Sequence, residues 1–193
     1  MSQGPQQLNL LSTSDSAPLQ IQVANPGPHA GQLLIVSPKP QRSLAIFTRE
    51  AIESLAALRE VWPGVRQSLH RDVTVRHLYE VTGDHAFKFL WESRLGQREQ
   101  DLSHFGRPVS GGGLRFVMPP VSRDPQCEVQ VKIESYLRNP RQLYVEVVLN
   151  WNYVVGLDDS FDVGSLLKEA EDFATGPVVH FINVHAGENG DHA

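Results

Sequence analysis

Regular alternation of apolar and polar side chains across residues 127–153 constrains the fold more than any other feature of the sequence. Apolar side chains occupy the odd-numbered positions from 127 to 133 and again from 143 to 151, whereas most even-numbered positions are polar. Successive side chains of a β-strand point to opposite faces of the sheet, so a period of two indicates strands with one apolar face. We therefore expect a long β-hairpin here, with Cys127 as a small core residue.

The connection between the two strands can be tested against these faces. Residues directly opposite each other in an antiparallel pair point to the same side, so odd positions must pair with odd positions. A two-residue loop at Asn139 and Pro140 would pair odd with even, whereas a connection of three or five residues keeps the apolar side chains together. Asn and Pro suit the first two positions of a type I turn, so we predict a connection built around residues 139–141. Apart from this turn, the odd positions of 129–137 and 143–151 are expected to face inward.

Shorter patterns predict further strands. Alternation and short apolar runs indicate strands at residues 19–23, 33–36, 44–47 and 114–118. Residues 73–81 and 87–91 each alternate, and Gly83 and Asp84 lie between them, which predicts a second hairpin.

Two regions have helical spacing. Thr48 is a suitable N-cap for a helix whose apolar stripe runs to Trp62. A second stripe covers residues 166–174 and continues at 178–182 after Gly176 and Pro177. This predicts two consecutive or kinked helices, with a strand at 178–184 as the alternative.

The order of these elements predicts an α+β fold, in which a curved antiparallel sheet of several hairpins carries helices packed on one face. Residues 1–18 are rich in Gln and Ser and nearly uncharged, which predicts a flexible leader, and residues 187–193 are expected to form a flexible tail. The remaining residues, 19–186, are predicted to form a single domain. Residues 96–113 lack periodicity and end in a run of glycines, which predicts a long mobile loop.

The composition argues against two classes of partner and indicates a compartment. The chain has 22 acidic and 17 basic residues and no long basic run, so we expect neither nucleic acid nor a membrane to be the partner. A single cysteine fits a reducing compartment, and the sequence contains neither a signal peptide nor an apolar segment that could span a membrane. These features predict a cytoplasmic protein.

The sequence lacks the motifs of common active sites. Gly111 to Gly113 precede a strand and lack the Lys-Ser/Thr of a phosphate-binding loop, and no dinucleotide fingerprint, zinc spacing or nucleophile elbow is present. The eight histidines do not have the spacing of a metal site. We therefore predict no cofactor and no metal, and the sequence favours a protein that is not an enzyme.

Five polar or aromatic side chains are candidates for contact with a ligand: His77, Tyr79, Trp91, His104 and Arg107. His77 occupies an inward position of a predicted strand, where the alternative is a hydrogen-bonded core histidine. His104 and Arg107 lie in the aperiodic segment, where the alternative is a solvated loop.

These observations favour a non-catalytic binding or interaction module, such as an adaptor, an immunity protein or an assembly component, that binds another protein or itself. One alternative is a small-molecule carrier with an apolar cavity between sheet and helices, in which His77, Tyr79 or Trp91 would be polar contacts. A second alternative is an enzyme with no motif visible in the sequence. Tyr136, Tyr144 and Val148 make the polar face of the hairpin unusually apolar for a surface in water, which predicts a homodimer through that face.

Overall fold

The predicted hairpin forms the centre of a four-stranded antiparallel sheet in the computed structural model of the protein. The structure describes residues 6–11, 19–27, 30–38, 43–64, 66–122, 126–157 and 161–184. The chain divides into two compact units, Met1–Arg66 with Leu157–Leu167 and Gln67–Gly156 with Lys168–Ala193, and both lie partly within the predicted domain 19–186. The predicted tail, 187–193, lies outside the described residues.

The first unit contains a three-stranded antiparallel sheet with β2 in the middle. Its strands are β1 (Gln6–Leu11), β2 (Gln20–Gly27) and β3 (Ala30–Val36). β1 lies within the segment that the sequence predicts to be a leader, while residues 1–5 and 12–18 lie outside the described residues.

Helix α1 (Leu44–Val61) follows in the same unit and corrects one prediction. Residues 44–47, predicted to be a strand, form its first turn, and Ser43 caps it in place of Thr48 by accepting a hydrogen bond from the Ile46 amide at 3.3 Å. The prediction was wrong because the apolar run continues the helical stripe backwards, so that it leads into the buried Ala51 and Leu55.

The second unit is built on the four-stranded sheet, whose strand order is β5-β8-β7-β6. These strands are β5 (Arg71–Glu80), β6 (Gly113–Met118), β7 (Cys127–Ser135) and β8 (Gln142–Trp151). A separate two-stranded pair joins β4 (Gln67–Ser68) to β9 (Val155–Gly156).

The predicted hairpin and its connection are confirmed. β7 and β8 pair from Cys127 opposite Trp151 to Ser135 opposite Leu143, odd with odd throughout. The amide of Tyr136 donates to the Gln142 carbonyl at 2.8 Å and closes a five-residue connection. Within that connection, the turn leaves Leu137 78% exposed.

The odd positions of the hairpin form the buried inner face of the sheet. Eight of these side chains are at most 4% exposed: Cys127, Val131, Ile133, Leu143, Val145, Val147, Leu149 and Trp151. Burying one such aliphatic side chain contributes roughly 1.5–3 kcal/mol, so this face is the main source of stability in the second unit. The thiol of Cys127 is in no disulfide and is buried on the same face, as predicted.

Helices cover the inner face, which confirms the α+β prediction. They are the part of α3 (Val163–Phe173) from Lys168 onward, a π-helical segment (Ala174–Val178) and α4 (Val179–Asn183). The Tyr79 hydroxyl donates to the Ala174 carbonyl at 3.3 Å, and the ring of Phe181 meets that of Phe116 edge-on, 5.3 Å between centroids. Residues 178–182 are thus helical, and the alternative of a strand is excluded.

The predicted second hairpin was wrong. β5 pairs with β8 along all ten of its residues, while residues 86–94 form the short helix α2 (Ala86–Lys88) and a π-helical segment (Phe89–Arg94). The alternation of aromatic residues was misleading because the buried side chains there are Ala86, Phe87 and Leu90, which fit one helix face. His85 caps this helix by accepting a hydrogen bond from the Phe87 amide at 3.3 Å.

The aperiodic segment 96–113 contains a 3-10 helix, Glu99–Phe105, and then the glycine run. The run is required by a close approach to β7, because a Cβ atom on Gly113 would lie 2.2 Å from the Ile133 carbonyl oxygen. Gly112 accepts a hydrogen bond from the Ser135 amide at 3.0 Å and donates one to the Ser135 hydroxyl at 3.1 Å. The glycines therefore let the chain enter β6 alongside β7. That this segment is mobile stays a prediction.

Candidate functional site

The polar face of the four-stranded sheet is the candidate site, and we call it the outer face. It consists of the even positions of β7 and β8 together with the residues opposite them in β5 and β6. Antiparallel pairing places one residue from each strand side by side, so these side chains form rows across the sheet.

Three neighbouring rows matter most. The uncharged row comprises Thr74, Val148, Gln130 and Val117. The cationic row lies on one side of it and comprises Arg76, Glu146, Lys132 and Arg115. The acidic row lies on the other side and comprises Asp72, Asn150 and Glu128. A further row beyond the cationic row comprises Leu78, Tyr144 and Glu134.

Glu146 is the centre of a hydrogen-bonded network in the cationic row. Its Oε2 accepts from Arg76 Nε at 2.6 Å and from the Tyr144 hydroxyl at 2.8 Å. Burial would raise the pKa of Glu146, but these hydrogen bonds and the charges of Arg76 and Lys132 outweigh burial and lower that pKa below its ordinary value. The same bond raises the pKa of Arg76. This carboxylate is thus ionised and held in place at neutral pH.

The other two cations of the row are bound less completely. Lys132 Nζ lies 3.0 Å from Glu134 Oε2, and 42% of the Lys132 side chain is exposed. Arg115 donates to Gln130 Oε1 at 2.7 Å, and among the described residues no carboxylate forms an ion pair with it. Arg115 and Lys132 are directly opposite each other, so positive charge accumulates at this end of the row.

Apolar side chains on the outer face remain in contact with solvent. Val117 is 55% exposed and Leu78 is 46% exposed, whereas the inner-face positions of β8 are completely or almost completely buried. Tyr144 and Val148 are half-buried between their neighbours in the sheet. The outer face therefore combines aliphatic and aromatic surface with exposed charges of both signs.

Two of the residues predicted to contact a ligand lie together, at the opposite face of the sheet. His77 Nε2 is 3.0 Å from Glu171 Oε2, and the rings of His77 and Tyr79 are 5.7 Å apart. Burial, and then the charge of Glu171, raise the pKa of Tyr79. Since Tyr79 also bonds to the Ala174 carbonyl, this cluster attaches β5 to the helices over the inner face.

The other three predicted residues lie elsewhere in the second unit. Trp91 is in the π-helical segment Phe89–Arg94, where it stacks on Phe87 and donates from Nε1 to the Arg98 carbonyl at 3.0 Å. His104 lies in the 3-10 helix, Arg107 follows that helix, and both are exposed. Within the described part of the chain, none of the three shares a hydrogen bond, ion pair or ring contact with His77.

Two further observations on the described residues concern metal binding and membrane spans. In those parts of the chain, no group of three or more His, Cys, Asp or Glu side chains could hold a metal ion. No helix in them is long and apolar enough to cross a membrane.

Sequence reasoning recognised the contribution of β7 and β8 to the outer face but missed that of β5 and β6. Leu78 and Val117 are 39 positions apart and meet the same face only through the pairing of β5 with β8 and of β6 with β7. The alternation of residues 73–81 was a usable signal for one strand, but it did not identify the partner strand. Glu171 was missed because nothing local connects it with His77, 94 positions away.

Comparison of the chain with protein-family models, curated proteins and solved structures finds no match.

Proposed function

We propose that the protein is a non-catalytic binding module that docks another protein surface on its outer face. The observation that supports this most directly is the exposure of Val117 and Leu78 beside the charged side chains of the cationic row. Exposed apolar surface bordered by polar groups is typical of sites that bind proteins. The charges provide specificity, because a partner must match their signs as well as the shape of the face.

We propose further that the partner is a second copy of the chain, in a cytoplasmic homodimer. The outer face carries cations in one row and carboxylates in another, with an uncharged row between them. Such a surface can complement itself, because two copies can turn so that rows of opposite sign face each other. Two-fold dimers are the commonest oligomers of this kind.

The test compares two valines with almost equal exposure. Val117→Asp places a carboxylate on the outer face, and Val154→Asp places one in the segment after β8; the two valines are 55% and 56% exposed. Sedimentation equilibrium should find a dimer for the wild type and for Val154→Asp. The dissociation constant of the Val117→Asp dimer should be at least about tenfold higher than that of the wild type, since two carboxylates would be brought into a desolvated contact.

Two results would contradict the proposal. A wild-type protein that stays a single chain from micromolar to millimolar concentration would exclude self-association. Equal association of the two valine variants would place the interface on another surface. Circular dichroism of each variant shows that the fold is intact, which both substitutions should allow because the replaced side chains are exposed.

A further inference from the structure

We infer that the two copies pack outer face to outer face about a two-fold axis that runs along the uncharged row. The cationic row of each copy then lies opposite the acidic row of the other. This inference rests on the proposed function, and it specifies which residues meet across the interface.

The position of the axis follows from the charges. A residue on a two-fold axis meets the same residue of the other copy, so an ionised side chain on the axis would face a like charge. Of the four rows defined above, the cationic row, the acidic row and the row of Glu134 each contain ionised groups. The uncharged row contains no ionised group, so it can lie on the axis without a like-charge contact.

The register then fixes the other contacts. Rotation about an axis that crosses the strands places each strand opposite the same strand of the partner, and it exchanges the positions two residues before and after the axis. Lys132 therefore lies opposite the partner's Glu128, two residues to the other side of Gln130. In β5, Arg76 lies opposite the partner's Asp72 on the same grounds. Because the axis repeats each contact, the interface gains four pairs of opposite charge.

The side chains involved keep hydrogen-bonding capacity for these pairs. Glu128 accepts from Gln130 Nε2 through Oε1 at 2.7 Å, and Asp72 Oδ1 lies 3.4 Å from His70 Nε2, which leaves the second oxygen of each carboxylate to accept. The side chains of Arg76 and Asp72 are 57% and 51% exposed, and that of Lys132 is 42% exposed. An ammonium group has three hydrogens to donate and a guanidinium five, so the contacts of Lys132 with Glu134 and of Arg76 with Glu146 leave donors available. Twisted sheets that pack face to face align at about −30°, which a small tilt of the axis accommodates.

The charges at 128 and 132 provide a test by charge reversal. In a homodimer of Lys132→Glu, two carboxylates would meet at each of the two contacts, and in a homodimer of Glu128→Lys two ammonium groups would meet. The dissociation constant of each variant alone should therefore be at least about tenfold higher than that of the wild type. When the two variants are mixed, both contacts become pairs of opposite charge, and a heterodimer should form with an affinity near that of the wild type.

A matched control uses a reversal that the proposed axis does not place opposite residue 132. Mixing Lys132→Glu with Asp72→Lys leaves two like-charge and two opposite-charge contacts, as in either homodimer, so mixing should give no gain. General attraction between oppositely altered chains does not explain a difference, because the chain carries a net charge of −5 and every single variant stays negative.

The readout is sedimentation velocity of fluorescently labelled Lys132→Glu titrated with each unlabelled variant. Preferential association with Glu128→Lys and not with Asp72→Lys is the expected result. If the wild type dimerises and Val117→Asp abolishes the dimer, but neither mixture associates preferentially, the axis is wrong while the proposed function stands. If Val117→Asp leaves the dimer unchanged, or the wild type is a single chain, the proposed function itself fails.

Discussion

Val131 offers the sharpest test of the assignment of inner and outer faces. It is 3% exposed and lies between Phe116 of β6 and Val147 of β8. Val131→Ala removes two methylene equivalents, each contributing about 0.8 kcal/mol when buried, and leaves a small cavity. We therefore expect a loss of about 2 kcal/mol in the free energy of unfolding.

Val131→Asp should be far more damaging. It places a carboxylate without a partner among aliphatic and aromatic side chains, which costs more than about 4 kcal/mol. A domain of this size has a total stability of only about 5–15 kcal/mol, so the variant should be largely unfolded or melt far below the wild type. Lys132→Asp, one residue along the same strand, should change the free energy by about 1 kcal/mol or less, because its side chain faces solvent.

Urea unfolding followed by circular dichroism measures these differences. It should be done at the lowest practical protein concentration, where self-association contributes least to stability. The face assignment would be refuted if Val131→Asp and Lys132→Asp unfolded together near the midpoint of the wild type. Val131→Ala provides a further check: its loss in the free energy of unfolding should be smaller than that of Val131→Asp and larger than that of Lys132→Asp.

Three further predictions follow from single contacts. Glu146 has a lowered pKa, so its hydrogen bonds stabilise the fold above the ordinary carboxyl pKa and are lost as pH falls through the lowered value. The wild type should therefore be more stable than Glu146→Gln by about 1 kcal/mol at pH 7, and urea unfolding at decreasing pH should show this advantage vanish below the ordinary carboxyl pKa, as Glu146 becomes protonated. Gly113→Ala should lower the free energy of unfolding by more than about 1 kcal/mol, because its Cβ would meet the Ile133 carbonyl oxygen at 2.2 Å. Gly64→Ala is the control and should change that free energy by less than about 0.5 kcal/mol, because no atom lies within 4 Å of the added Cβ. Equal melting temperatures of the two variants would contradict the close approach at Gly113. A double-mutant cycle of His77→Ala and Glu171→Ala should give a coupling free energy of about 0.5–1 kcal/mol, and strictly additive effects would show that the 3.0 Å contact does not contribute to stability.

The hairpin of β7 and β8 could be predicted because its signal is local and redundant. One buried face imposes a period of two on both strands, and the parity of positions limits the connection between them. Leu137 shows where this reasoning ends, since the turn releases it from the pattern and leaves it exposed.

The partner of β5 could not be predicted, because strand pairing is decided by tertiary contacts. Phe87, Phe89 and Trp91 alternate as a strand would, yet Leu90 between them is only 2% exposed, and the segment is helical. Three alternating aromatic residues fit either structure, and burial of the residue between them decides for the helix.

The candidate site was predictable to the same limited extent. Tyr144 and Val148 indicated an outer face with apolar character, because they interrupt an otherwise polar set of positions in one strand. Val117 and Leu78 complete that face only after the four strands are in register. A surface assembled from several strands is invisible to a pattern that is read along one of them.

Hydroxyl-radical footprinting across a dilution series tests the central claim, that the outer face is an interface, most directly. Leu78 and Tyr144 report on that face, while Phe105 and Leu137, which are 72% and 78% exposed, lie outside it. As concentration rises and the mass approaches two chains of 21.5 kDa, oxidation of Leu78 and Tyr144 should fall while that of Phe105 and Leu137 stays constant. Unchanged oxidation of Leu78 and Tyr144 while the mass doubles would contradict the claim.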